Sequence, residues 1–303
     1  MMKLNLLKAT QILERTMPVM TRRLLLYGAV TFGLLFSIPL GAGAFYGIAS
    51  FSDDPGFWGQ VGAIIGVTGA VFAYRSARRT LYYHLDLVHL FAMVKRIEES
   101  ELPTGKEQYE FLKQQVEQLF SDPRNAYTYL QILHRFIGNV FATQPPGNHL
   151  SPLPAGARIQ KWVATLWLGF AANAMIAPAI KTRKLSAIRD GASAFCHHFS
   201  DILRYSLFLN AFLYTAFAFA FWLFLKPVGW VDNALPLELG LWNYVFALIL
   251  GFGIKVSFLD PIVTAAMVMR ILSLSEAPQE EESGPCKEIL SELEPVETRS
   301  TLN

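Results

Sequence analysis

Residues 24–51, LLLYGAVTFGLLFSIPLGAGAFYGIASF, and 55–74, PGFWGQVGAIIGVTGAVFAY, are apolar almost throughout and are parted only by Ser52, Asp53 and Asp54. A second pair lies near the other end. It comprises 206–225, SLFLNAFLYTAFAFAFWLFL, and 239–259, LGLWNYVFALILGFGIKVSFL, separated by residues 226–238. At 1.5 Å per residue each stretch reaches roughly the 30 Å of a hydrocarbon core. Lipid offers no partner to backbone polar groups, so such stretches must satisfy their own and become helices. The pattern predicts an all-α, polytopic membrane protein built on two transmembrane hairpins, four crossings in all.

Composition points the same way. The chain is 52% hydrophobic and 17% charged, against about 25% charged in an average soluble domain. Its formal charge of +2 conceals a polarity along the chain. Residues 276–303 hold eight glutamates against Lys287 and Arg299, a net −6, so the remainder carries +8. A basic remainder on an apolar chain reads as contact with anionic headgroups of a lipid bilayer rather than with nucleic acid. Cys196 and Cys286, the two cysteines, are far apart and lack a CxxC or Cys/His series. They read as an apolar filler and a tail thiol, without a disulfide framework.

Orientation follows from the basic residues. Lys3, Lys8, Arg15, Arg22 and Arg23 precede the first span, and Arg75, Arg78 and Arg79 follow the second. The turn between the spans has two aspartates and no cation. The positive-inside rule then places residues 1–23 and 75–160 on the cytoplasmic side, and an even number of crossings returns the acidic tail there. The expected location is a bacterial inner (plasma) membrane with both termini cytoplasmic.

The chain divides into a basic N-terminus (1–23), the first hairpin (24–74), a helical cytoplasmic insertion (75–160), a segment 161–204, the second hairpin with an interfacial helix (205–272), and an acidic disordered tail (273–303). In the insertion, Leu87, Leu90, Phe91, Val94 and Ile97 recur at helical spacing, so a helix continues from the second span. A short amphipathic helix is expected at 107–120. Asp122-Pro123 then starts another, with a capping oxygen followed by a proline at the first position. Leu130, Leu133, Phe136, Ile137, Val140 and Phe141 make a continuous apolar stripe on it, and the insertion as a whole reads as short helices that dock against the bilayer or a partner. Segment 162–180, WVATLWLGFAANAMIAPAI, is either a fifth crossing or re-entrant, broken at Asn173 and Pro178 inside a protein-lined cavity. An amphipathic surface helix is expected at 185–204, and an interfacial one at 262–272 after Asp260-Pro261 ends the last span.

Several residues invite a functional reading. Gly43-x-x-x-Gly47 and Gly62-x-x-x-Gly66 are small-residue faces that let helices approach closely in lipid. Lys255 lies within the last span, where a charge at mid-membrane costs ~3 kcal/mol, so it must snorkel, pair with Asp260, or serve a pathway. Asn173 and Asn210 are the other polar residues on such a substrate or ion pathway. His84 and His89, or His197 and Asp201, give two ligands where zinc uses three or four. No GxGxxG, P-loop, nucleophile elbow or HExxH occurs, so no catalytic residue, metal or cofactor is expected.

The function expected from these features is an integral membrane scaffold or accessory subunit, not an enzyme. It would recruit a protein partner, or further copies of itself, through its cytoplasmic helices and acidic tail. The alternative is a small oligomeric transporter or channel using Lys255, Asp260, Asn173 and Asn210. A membrane-embedded enzyme comes third.

Overall fold

The computed structural model describes residues 6–143, 157–234 and 240–277. The expectations for the 144–156 loop and for the acidic tail from 278 onward lie outside the described residues. The helices in chain order are α1 (Leu6–Arg15), α2 (Met17–Ile48), α3 (Pro55–Leu81), α4 (Val88–Ile97), α5 (Lys106–Leu119), α6 (Pro123–Thr143), α7 (Ala157–Met175), α8 (Ala177–Thr182), α9 (Ile188–His197), α10 (Phe199–Ala234), α11 (Trp242–Ile254) and α12 (Asp260–Ser275). Short π-helical turns, Tyr82–Leu87 and Lys255–Leu259, join α3 to α4 and α11 to α12. No strand occurs among the described residues. Among the described residues five stretches are long and apolar enough to cross a membrane: Met17–Ile48, Pro55–Ile97, Val163–Thr182, Phe199–Asn233 and Trp242–Ser275.

The chain groups into two units. One, the hairpin unit, comprises Thr21–Leu81 and Leu213–Asp260. The other, the insertion unit, comprises Met1–Met20, Tyr82–Phe212 and Pro261–Asn303.

In the hairpin unit the Asp54 carboxylate caps α3, accepting from the Phe57 N–H at 2.9 Å. A side-chain oxygen there satisfies an amide that has no helical partner. One face of α2 is buried along Arg23, Tyr27, Thr31, Leu34 and Ile38, while Phe32, Phe36 and Leu40 are exposed. Phe72 on α3, Phe219 and Trp222 on α10 and Leu248 on α11 are exposed too. Apolar side chains facing outward are what lipid requires, and close contact between helices is left to small residues.

Those small residues are only partly the expected ones. Gly62 and Gly66 do sit at the crossing of α2 and α3. A Cβ on Gly62 would strike the Gly41 carbonyl and come within 2.6 Å of the Phe45 Cβ; one on Gly66 would strike the Ser37 carbonyl. The matching face of α2 is therefore Ser37-x-x-x-Gly41-x-x-x-Phe45. Gly43 and Gly47 have nothing within 4 Å of a would-be Cβ, and both are exposed. At 100° per residue, a shift of two positions turns a residue to the far side of the helix.

The second hairpin closes by the same means. Gly251 of α11 lies against Phe217 and the backbone of Phe221 on α10, and Gly253 faces Thr31 of α2, whose Oγ1 would be 2.6 Å from an added Cβ.

The insertion unit has a core of its own. Every residue of α4 from Val88 to Val94 is buried, because α1, α5 and α8 all pack on it. The α6 stripe of Leu130, Leu133, Phe136, Ile137 and Val140 is likewise buried. It is covered by α7 and by aromatic contacts from Phe136 to Phe195 and from Phe141 to Phe199. This stripe is part of the unit's core. Asp122 begins α6 as expected, its Oδ1 accepting from the Arg124 N–H at 2.8 Å.

Segment 162–180 is a broken helix. α7 ends at Met175, and α8 resumes at Ala177 with Pro178 in its first turn, where a missing N–H is harmless. From Ala171 to Ile180 only Asn173 escapes full burial. α9 returns over the break, close enough that a Cβ on Gly191 would strike the Met175 carbonyl. Gly191 through Cys196 are consequently buried, where a surface helix was expected. Cys196 is disulfide-bonded rather than an unpaired filler.

The interfacial helix expected at 262–272 is α12, five residues longer and buried through Val263, Ala265–Met269, Ile271 and Leu272. Burial on several faces marks a core helix, not one lying in a membrane surface.

Candidate functional site

Asp260-Pro261 does not stop the last helix; it changes its register. Proline has no N–H to return to a carbonyl one turn back. The chain accommodates this by widening to a π-turn over Lys255–Leu259, so that the Asp260 N–H bonds the Lys255 carbonyl, five residues back. In that register the next carbonyl, of Val256, would receive the N–H of residue 261, which is proline. A buried carbonyl without a donor is destabilising by about 1–3 kcal/mol.

Arg23 supplies the donor. Its Nε and Nη2 lie 3.3 and 3.1 Å from the Val256 oxygen, and its guanidinium sits 5.0 Å over the Tyr27 ring. Arg23 is only 7% exposed. A planar fork that is weakly hydrated for a cation suits this buried position better than an ammonium would. The adjacent Arg22 is not fully buried. In the sequence both arginines belong to the basic lead-in to the first span. The signal that marks Arg23 is its phase: it falls on the same helical face as Tyr27, Thr31, Leu34 and Ile38.

At the same turn Lys255 donates to the Asp260 Oδ1 at 2.8 Å, each side chain 18% exposed. Of the three readings open to Lys255, the structure realises the pair with Asp260. Lys255, Asp260 and Arg23 thus form a charged seam on the hairpin unit, around a turn that proline makes irregular.

Asn173 and Asn210 belong to the insertion unit. The Asn173 Oδ1 accepts from the Tyr82 hydroxyl at 3.3 Å. Asn210 Nδ2 donates to the carbonyls of Trp167 at 2.7 Å and Ser206 at 2.8 Å; the Ser206 hydroxyl also donates to the Trp167 carbonyl. Both asparagines therefore act as helix-to-helix ties, although the buried Asn210 Oδ1 has no hydrogen-bond partner among the described residues.

The histidines are dispersed. His89 is fully buried with its Nε2 3.3 Å from the Thr16 hydroxyl, and the His84 ring lies edge-on to Tyr83 at 5.1 Å. Among the described residues no group of three or more His, Cys, Asp or Glu is placed to hold a metal ion.

No protein-family model matches the chain, and neither a curated protein nor a solved structure is similar enough to be matched. The helices and their apolar surfaces define the class: an all-α, multi-pass membrane protein.

Proposed function

We propose that the chain is an integral membrane scaffold or accessory subunit of a bacterial inner membrane, with both termini cytoplasmic, rather than a transporter or an enzyme. One observation carries the reading: the charged side chains at the irregular turn of the last span, Lys255 and Asp260 within it and Arg23 of α2 against it, are engaged in holding the protein together. Arg23 completes the Val256 carbonyl and Lys255 neutralises Asp260. A coupling residue on a pathway needs a substrate-accessible face, and these groups are committed to backbone and to each other. Transport, the competing reading, has in its favour the Asn210 Oδ1, which lacks a partner among the described residues.

Because the α6 stripe and α9 are covered within the chain, partner contacts fall to the outward apolar faces of the hairpin unit and to the acidic tail. Gentle detergent extraction from native membranes, with affinity capture and quantitative mass spectrometry, tests the reading. A partner at constant stoichiometry is the expected outcome. A chain that purifies alone and carries ion or solute flux in liposomes overturns it.

The orientation has its own check. Gln114 on α5 is exposed, so Gln114→Cys should react with a membrane-impermeant thiol reagent only after the membrane is opened. Labelling of intact cells at that position reverses the proposed topology.

A further inference from the structure

We infer that the last turns of α3 form a binding site for anionic phospholipid, with Arg75, Arg78 and Arg79 taking the headgroup phosphate and Val71 and Phe72 meeting its acyl chains. The inference goes beyond the scaffold reading and does not depend on it. All six residues from Arg75 to Thr80 are exposed, so among the described residues nothing covers this length of helix. The three arginines stand at i, i+3 and i+4, which brings their side chains to one face. None makes an ion pair or hydrogen bond among the described residues. By contrast, the comparably exposed Lys181 is paired with Glu276.

The level along the helix selects the ligand. Trp58, 41% exposed, lies near the start of α3, and tryptophan favours the membrane–water interface. Arg75 and Arg79 are seventeen and twenty-one residues on, about 26 and 32 Å along the axis at the helical rise. That separation matches the hydrocarbon thickness, so the guanidiniums stand at the opposite headgroup layer. One turn before them, Val71 and Phe72 are 43% and 73% exposed. The site is therefore apolar and then cationic over a single helical turn.

A glycerophospholipid has that order, acyl chain then phosphate; an acidic peptide has no apolar end at this depth. Guanidinium binds phosphate oxygens bidentately. Three unpaired cations on one face favour a lipid of net negative charge over a zwitterion, whose own ammonium would be repelled.

The test is the thermal midpoint of the full chain in nanodiscs of phosphatidylcholine, with and without phosphatidylglycerol. The wild-type chain should melt higher with phosphatidylglycerol, and high salt should shrink the difference. The variant Arg75→Gln/Arg78→Gln/Arg79→Gln should lose more than half of that difference while its midpoint in phosphatidylcholine is unchanged. If the triple variant does not fold, each single Arg→Gln change should remove part of the difference. A wild-type chain indifferent to phosphatidylglycerol, or variants that keep the whole difference, overturns the site. Inorganic phosphate reproducing the difference in phosphatidylcholine alone would assign the arginines to a soluble anion and overturn the lipid.

Discussion

Gly62→Leu should prevent the first hairpin from closing and lower the thermal midpoint in detergent by roughly 5–10 °C, an overpacking loss of about 3 kcal/mol. The size follows from what the new side chain meets. At most crowded positions a flexible side chain yields by a few tenths of an ångström. Here the obstruction is the Gly41 carbonyl, with the Phe45 Cβ at 2.6 Å, and neither can move without displacing helix α2. Even Gly62→Ala and Gly66→Ala should destabilise, since the clash begins at the Cβ. The same substitutions at Gly43 and Gly47 should be neutral or slightly stabilising, because nothing stands within 4 Å and alanine favours helix over glycine by about 1 kcal/mol. Equal midpoints across all four alanine variants would remove the packing assignment.

That contrast shows what the chain makes legible and what it withholds. Length and hydropathy declare the spans, because lipid leaves a chain no other way to satisfy its amides. Breaks at Asp54-Pro55, Asp122-Pro123 and Ala177-Pro178 are legible because proline and capping carboxylates act locally. The phase of a small-residue face is not. In α2, Gly41, Gly43 and Gly47 are alike in sequence, and only the position of α3 decides which of them is at the crossing. α12 fails for another reason. It is apolar on nearly every face, so periodicity cannot separate a helix buried in a protein core from one lying at a membrane surface. The charged seam needed two distant facts together: Pro261 deprives Val256 of a donor, and Arg23, 233 residues earlier, supplies one. A single aligned sequence position carries neither half of that statement.

Lys255→Met separates the roles open to that residue. The pair with Asp260 is neither fully buried nor free in solvent. An exposed pair contributes up to about 1 kcal/mol, and breaking a buried one costs about 3–5, so a loss of about 1–3 kcal/mol is expected for the single change. Asp260→Asn alone should cost a similar amount by leaving the ammonium unbalanced near the membrane. The double variant, Lys255→Met/Asp260→Asn, removes both charges together. It should recover much of the loss, giving a coupling of about 1–2 kcal/mol in a double-mutant cycle. Additive losses would show that the 2.8 Å contact contributes nothing of its own, and that Lys255 merely reaches toward headgroups. The decisive outcome for function is a different one. If Lys255→Met folds with wild-type stability, and reconstituted wild-type protein carries a flux that this variant lacks, the lysine serves a pathway and the scaffold reading falls. The pairing of Lys255 with Asp260 argues for the opposite result: a destabilised single variant, a rescued double, and no flux in either.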